Sequence, residues 1–279
     1  MKKEYLNTWE EFEDYISQLN ERRSNQIRDT DHFILEYLFR GQSNSNWNLE
    51  TTLERFTGEL FLLEEYDRIL RATKPQVEAL TGLTWDEIPS FIDYLGKERL
   101  VPPGPLPDSA YSVYLRHHGF PSPLLDWTKL PYIAAYFAFR DNSSKAMNAS
   151  IYVYCEHPKK LKSRSSNKSN ITTEINVLGP NVLSHPRHSR QKSQYTICTK
   201  YCNNKHSYAR HEDVFAENKE DQDKLLKFYI PISERDKILN KLAQRNINAY
   251  SLFGSEESLM ETLSFKEILF RKGHQQYQL

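Results

Sequence analysis

The residue with the clearest potential for chemistry is an arginine at the end of an apolar segment. Arg40 follows the run HFILEYLF at positions 32–39, which is apolar on both faces, as in a fully buried strand. A buried guanidinium has to be paired, because an unpaired buried charge costs several kcal/mol. One possible partner is Glu36, which shares its face of the strand. The other is a bound phosphate, which the planar fork of arginine contacts through two nitrogens. Gly41 would let the backbone approach such a ligand closely.

A second polar group lies in the segment YLRHHGFPSPLLDWT at positions 114–128, between two predicted helices. Loops held between rigid elements often carry binding groups. His117 or His118 can hydrogen-bond a ribose or exchange a proton near neutral pH. Alternatively, one of them interacts with the helix C-terminus and the other is solvated. Asp126 or Thr128 can equally cap the helix that follows.

A third pattern has the spacing of zinc ligands. It consists of Cys198, Cys202, His206 and His211. The two cysteines lie four positions apart in a predicted strand, which separates them by about 13 Å, too far for one tetrahedral ion. We therefore do not predict zinc unless the strand ends before Cys202.

A fourth pattern, formed by Asp213, Glu217 and Lys219, copies part of a metal-dependent nuclease core. It lies in the hydrophilic run HEDVFAENKEDQDK, which is typical of a solvated loop. The sequence has no P-loop, no dinucleotide-binding glycine motif and no G-x-S-x-G or H-E-x-x-H motif. We therefore expect no metal, and a nucleotide would have to be held by side chains.

Hydrophobic periodicity predicts the elements that position these groups. Helices are predicted at 9–22 (after a capping box at Thr8 and Glu11), 59–72, 85–94, 109–117 (with Gly119 at the C′ position), 131–139, 233–245 and 255–270. Strands are predicted at 32–39, 150–155, 194–201 and 225–232. This order indicates an α+β fold. We predict one domain over residues 1–279, with a helical N-terminal extension at 7–22 and a polar surface loop at 159–170.

Composition limits the partners and the compartment. The 37 basic and 37 acidic side chains give a formal net charge of zero, so no global field draws the chain to nucleic acid or to an anionic membrane. Three cysteines are too few for a disulfide framework and favour a reducing compartment. With no apolar signal segment and no membrane-length apolar run, the expected location is the cytoplasm.

Together the two main motifs resemble the FRG domain family. FRGQ at 39–42, followed by Trp47 and Arg55, is similar to the opening motif of that family, and the segment 117–128 is similar to its central motif QH.G.PTRLLDWT. The helix at 131–138 resembles the one that follows in the family. Weaker similarities at 187–196 and 248–253 extend the resemblance to about residues 33–260.

Three positions depart from the family pattern. Arg116 replaces a glutamine, Ser122 and Pro123 replace Thr-Arg, and Ser193 replaces a glycine. The missing arginine at position 123 removes one possible phosphate partner.

The element order of the family is similar to that of ADP-ribosyltransferases, which split NAD and pass ADP-ribose to an acceptor. The resemblance implies a mixed or split sheet and an ADP-ribosyltransferase-like or NAD-cleaving bacterial effector with a role as a toxin or in anti-phage defence. NAD would be a substrate, and the partners would be this nucleotide-like molecule and an unknown macromolecular acceptor. The ADP-ribosyltransferase fold has an Arg or His on its first core strand, a Ser or Thr on a second strand and a Glu on a later strand. By analogy Arg40 takes the first position and holds the phosphates, Thr128 takes the second position and Gln191 takes the third.

Glutamine at position 191 lacks the negative charge of the glutamate that ADP-ribosyltransferases have at the third position. Another carboxylate would have to supply it, and the candidates are Asp126, Glu256 and Glu257, of which we favour Asp126. The predicted catalytic residues are Arg40, His117, Asp126, Thr128 and Gln191. The predicted ligand-binding residues are Phe39, Gly41, Gln42, Trp47, Arg55, Gly119, Trp127 and Arg187.

Gln191 also favours an alternative, a binding module that senses a nucleotide-like ligand or a phage component without turning it over. A metal-dependent nuclease is a weaker alternative.

Overall fold

The computed structural model describes residues 1–28, 36–87, 109–141, 145–156, 171–178, 186–203, 205–216 and 223–270. The predicted surface loop at 159–170, the predicted helical residues 88–94 and the residues Glu217 and Lys219 lie outside this part of the chain.

The helices are α1 (Trp9–Arg28), α2 (Thr52–Thr57), α3 (Leu63–Thr81), α4 (Ser109–His117), α5 (Pro131–Phe139), α6 (Pro186–Arg190), α7 (Arg235–Gln244), α8 (Ala249–Phe253) and α9 (Glu256–Ser264). The strands are β1 (Lys2–Tyr5), β2 (Tyr37–Gln42), β3 (Leu125–Thr128), β4 (Asn148–Cys155), β5 (Ile171–Leu178), β6 (Ser193–Cys202), β7 (Lys205–Tyr208) and β8 (Lys224–Pro231).

All eight strands belong to one sheet with the order β1-β8-β4-β2-β3-β6-β5, and β7 also pairs with β6. The pairing of β1 with β8 is parallel, and the other pairings are antiparallel. The predicted α+β fold with a mixed sheet is therefore confirmed.

The α-helices cover one face of the sheet, and a smaller core without α-helical residues lies on the other face. On one face α1, α5, α7 and α8 bury their apolar sides against β2, β4 and β8. Strand β4 shows why both faces need cover: Ile151 and Val153 join this core, while Tyr152 and Tyr154 belong to a second core on the opposite face. Farther along the sheet, α3 and α4 pack on β6 and β7.

Several predicted boundaries were wrong. Strand β2 runs from Tyr37 to Gln42 instead of over 32–39, and the FRGQ run forms its last four residues. Helix α1 extends to Arg28, helix α3 occupies Leu63–Thr81, and residues 85–87 are not helical. Helix α5 has the predicted bounds.

The sheet opens between β2 and β3. Strand β2 is in register with β4 along six residues, but with β3 only at Phe39 and Thr128. Beyond that pair the two strands separate, and Arg40 bridges the gap with a hydrogen bond from Nη1 to the carbonyl oxygen of Asp126 at 2.6 Å.

Gly41 allows β2 to pack directly on α5, a role that the sequence did not predict. A Cβ at this position would lie 1.9 Å from the carbonyl oxygen of Ala134 and 2.6 Å from the backbone nitrogen of Ala138. These are backbone atoms of a buried helix, so the strand or the helix would have to move.

We therefore expect Gly41→Ala to lower the free energy of unfolding by about 3 kcal/mol or more, the upper end of overpacking costs. The matched control is Gly58→Ala, because Gly58 has a φ of +73° and open space around its Cβ position. It should cost only about 1 kcal/mol from backbone strain. Chemical denaturation of both variants tests this, and equal losses would contradict the packing role of Gly41.

Candidate functional site

A cavity of about 900 Å³ lies where β2 and β3 separate. Its size is within the range of pockets for small molecules and cofactors. Of the thirteen site residues predicted from the sequence, twelve line it: Phe39, Arg40, Gly41, Gln42, Trp47, Arg55, His117, Asp126, Trp127, Thr128, Arg187 and Gln191. The other lining residues are Ser43, Asn46, Asn48, Glu50, Arg116, Ala134, Phe137, Ser193 and Phe253.

The guanidinium of Arg40 lies in the wall of the cavity. The predicted pairing with Glu36 is wrong, because Glu36 lies exposed before the strand and binds Lys129 at 2.9 Å. Burial lowers the pKa of Arg40 to about 10, and the negative charge of Asp126 opposes this shift. Arg40 remains a cation at neutral pH.

Arg116 and Asp126 form a close ion pair at the cavity, through Nη2 and Oδ2. Four buried polar atoms of the cavity walls have no hydrogen-bond partner among the described residues: Nε of Arg40, Nε of Arg116, Oδ1 of Asp126 and Oε1 of Gln42. Buried polar groups in native proteins are normally satisfied, so such a concentration marks a place where a polar ligand can bind.

The cavity is positively charged. Four arginines line it (positions 40, 55, 116 and 187), against the two carboxylates of Glu50 and Asp126. The pKa of Arg55 is lowered, first by burial and then by repulsion from Arg116. Crowding of like charges favours an anion, and arginine suits phosphate.

The loop Ser43–Glu50 forms one wall and is held by a buried lysine. The Lys227 ammonium donates to the carbonyls of Ser45 at 2.8 Å and Trp47 at 3.2 Å. Its environment lowers the pKa of Lys227 to about 8, chiefly through burial. The Trp47 side chain is 51% exposed at the cavity, so its ring can stack on a planar ligand.

The side chains of Thr128 and Gln191 already take part in internal hydrogen bonds. Thr128 Oγ1 donates to the Gln191 carbonyl at 2.7 Å and accepts from the backbone N–H of Leu130 at 3.1 Å. Gln191 Nε2 donates to the Leu252 carbonyl at 3.3 Å. These contacts join β3, α5 and α8, so both side chains support the walls of the cavity.

The two neighbouring histidines differ. His117 ends helix α4, lines the cavity, and lies 2.7 Å from the Tyr195 hydroxyl through Nε2. His118 is exposed and packs on Tyr114. This agrees with the alternative in which one of the two histidines is solvated. Gly119 does not line the cavity, and it follows helix α4 with a φ of +88°.

The carboxylates at the cavity differ in part from those expected. Asp126 lines it, but Glu256 and Glu257 lie exposed in the first turn of α9 and do not. Glu50 lines it instead. Sequence reasoning missed Glu50 and also Phe253, whose ring lies 5.6 Å from the Arg187 guanidinium.

Trp127 is anchored by a buried chain of hydrogen bonds. Its Nε1 donates to Thr196 Oγ1 at 2.7 Å, and this hydroxyl lies 2.8 Å from Nε2 of His211. Burial, followed by repulsion from Arg40, lowers the pKa of His211 to about 3. His211 is therefore neutral in the folded protein at any pH above this value.

This pKa predicts a loss of stability in mild acid. Between pH 6.5 and 3 the unfolded chain binds a proton at His211 that the folded chain does not, so the free energy of unfolding falls as pH falls. The expected contribution is about 2 kcal/mol between pH 7 and pH 5. Denaturation curves of His211→Gln should lack this contribution, while those of His206→Gln on β7 should keep it. The same slope in wild type and His211→Gln would contradict the assignment.

The zinc-like pattern does not form a site. Strand β6 continues through Cys202, and Cys198 is buried with its sulfur 3.6 Å from the Arg210 carbonyl. Within the described ranges, no group of three His, Cys, Asp or Glu side chains is placed to hold a metal ion. Nor is any described helix long and apolar enough to cross a membrane.

Fold and site together define an α+β protein whose mixed sheet opens into a cationic cleft. Residues 35–147 match the family model of the FRG domain, which confirms the resemblance predicted from the two main motifs. The match contains Arg40, Arg55, Arg116, His117 and Asp126; the weaker similarities at 187–196 and 248–253 lie beyond it. Searches of curated proteins and of solved structures gave no match.

Proposed function

We propose that the cleft binds a nucleotide-like ligand of the NAD type and that the protein is an ADP-ribosyltransferase-like or NAD-cleaving enzyme. The observation that carries the proposal is the cationic opening between β2 and β3, where arginines surround a cavity of about 900 Å³. The Nε atoms of Arg40 and Arg116 are both buried there without a partner among the described residues. A diphosphate group would supply the acceptors that they lack.

The remaining features of the cavity suit the other parts of a dinucleotide. Trp47 offers an exposed ring for stacking on a base. Oδ1 of Asp126 and Oε1 of Gln42 are acceptors that ribose hydroxyls would satisfy. The match to the FRG domain includes these three residues.

The chemistry requires a carboxylate near the reacting ribose. Loss of nicotinamide leaves an oxocarbenium-like centre, which a preorganised negative charge stabilises. Asp126 supports this role best, because it lines the cavity, its carboxylate pairs with Arg116 and its backbone carbonyl accepts the hydrogen bond from Arg40. Arg116 holds the carboxylate in place and also reduces its charge, so the ligand's phosphates would have to compete for Arg116.

A second candidate function is a sensor that binds the same ligand without turning it over. The hydrogen bonds of Thr128 and Gln191 favour it, because the side chains expected at two catalytic positions are used for internal contacts. A role in defence or as a toxin fits either function.

Incubation of the purified protein with NAD and a cell lysate distinguishes them. The enzyme should release nicotinamide and, if it is a transferase, label a lysate protein with ADP-ribose. The sensor should be stabilised by NAD in a thermal-shift assay by mass action, without nicotinamide release. If NAD gives neither release nor stabilisation, both proposals fail.

A further inference from the structure

A buried tyrosine connects the cavity to a second histidine outside it. Tyr195 on β6 is fully buried, and its hydroxyl lies 2.7 Å from Nε2 of His117 and 3.0 Å from Nδ1 of His188. His117 lines the cavity, whereas His188 lies half-buried on helix α6 and does not line it. The Tyr195 ring also stacks on the ring of His188, with 5.6 Å between centroids.

Both contacts are hydrogen bonds to one hydroxyl group, which also has a hydrogen bond with the Ser193 side chain. The hydroxyl has a single proton, so in the relay it donates to one imidazole while it accepts an N–H from the other. Reversing both bonds at once moves one proton from one histidine to the other without charging the tyrosine. Burial, assisted by the negative charge of Asp126, raises the pKa of Tyr195, so the hydroxyl stays protonated at neutral pH.

We propose that His117, Tyr195 and His188 form a proton relay that carries a proton from the cavity to helix α6. The relay rests on the proposed enzymatic function, since it serves an acceptor that loses a proton. The C–N bond to nicotinamide breaks with its electron pair leaving on nicotinamide, and the oxygen of water or of an acceptor hydroxyl bonds to the ribosyl carbon. That oxygen's proton passes to Nδ1 of His117.

The proton then moves from His117 through the Tyr195 hydroxyl to His188. Nε2–H of His117 passes its proton to the Tyr195 oxygen, while the Tyr195 hydroxyl passes its own proton to Nδ1 of His188. His188 becomes an imidazolium and releases a proton from Nε2 to solvent at the half-buried surface of α6. The charged groups acting on the hydroxyl are Asp126 from β3 and Arg116 from α4, and Arg187 precedes His188 on α6.

Tyr195→Phe tests the relay, because it keeps the ring packing and removes the hydroxyl. Wild-type His117 and His188 should show coupled titration curves in NMR spectra of ¹⁵N-histidine-labelled protein, and Tyr195→Phe should make the two curves independent. The Tyr195→Phe substitution should also lower kcat for nicotinamide release at least about tenfold, while leaving the Kd of ADP-ribose unchanged. Tyr201→Phe on the same strand is the matched control and should change neither quantity.

His188→Gln is a second variant that preserves the bond between His117 and Tyr195. It should lower kcat as Tyr195→Phe does. Histidine curves that are the same in wild type and Tyr195→Phe would overturn the relay, as would unchanged kcat in both variants. Coupled curves in a protein that never releases nicotinamide would support the relay and overturn the proposed enzyme.

Discussion

Arg40→Ala is expected to lower kcat/KM for nicotinamide release about 100-fold or more. The guanidinium would provide two charge-assisted hydrogen bonds to the ligand's phosphates, together worth about 3 kcal/mol. It also bridges β2 and β3 through the Asp126 carbonyl, so the variant should lose some stability as well. Nicotinamide release, measured under conditions where denaturation curves show the variant to be folded, gives the result.

A second substitution at position 40 separates the effect of the positive charge from that of the guanidinium geometry. Arg40→Lys keeps the positive charge but not the two-nitrogen fork, and it should retain only part of the activity. The control is Arg68→Ala, because Arg68 is exposed on α3, donates to the Glu64 carbonyl at 3.3 Å and does not line the cavity. Equal turnover in wild type and Arg40→Ala would show that the cavity is not the reaction site.

Asp126→Asn should change catalysis and binding in opposite directions. The amide cannot stabilise a developing positive charge, so kcat should fall by about 100- to 1,000-fold, the usual cost of removing one preorganised electrostatic group. The same change removes the ion pair with Arg116 and makes the cavity more positive. ADP-ribose should therefore bind more tightly, which calorimetric titration measures.

Glu50→Gln identifies which carboxylate faces the reacting ribose. Both side chains line the cavity, so both substitutions remove one negative charge from it. Only Asp126 adjoins Arg40 and Arg116, so kcat should fall much further in Asp126→Asn than in Glu50→Gln. The reverse order would transfer the role to Glu50, and unchanged kcat in Asp126→Asn would remove Asp126 from the mechanism.

Elements with strong local patterns were predictable from the sequence. Helix α5 has its predicted bounds because Pro131 fits the first turn and an apolar run follows it. The strands β1, β3, β5 and β7 were missed. Three of them, β1, β3 and β7, have only four residues each, and such short segments are defined by pairing with distant partners. The register of Asp126 with Tyr195 is an example of pairing that no local pattern contains.

The residues that line the cavity were more predictable from the sequence than the contacts that each of them makes. Arg40, His117 and Asp126, which were chosen from the motifs, line one cavity. The hydrogen bonds that occupy Thr128 and Gln191 depend on where α8 and the start of β6 meet, which only the folded chain determines. For the same reason Glu50 and Tyr195 could not be assigned from their neighbours in sequence.

Photolabelling with an NAD analogue that carries an azide on its adenine ring shows whether the cleft binds a dinucleotide. After irradiation and digestion, mass spectrometry locates the label, and excess ADP-ribose serves as the competitor. We expect saturable labelling of peptides that line the cleft, such as the one containing Trp47, with loss of label in the presence of ADP-ribose and in Arg40→Ala. Label that is not displaced by ADP-ribose, or that lies on peptides away from the cleft, would contradict this expectation.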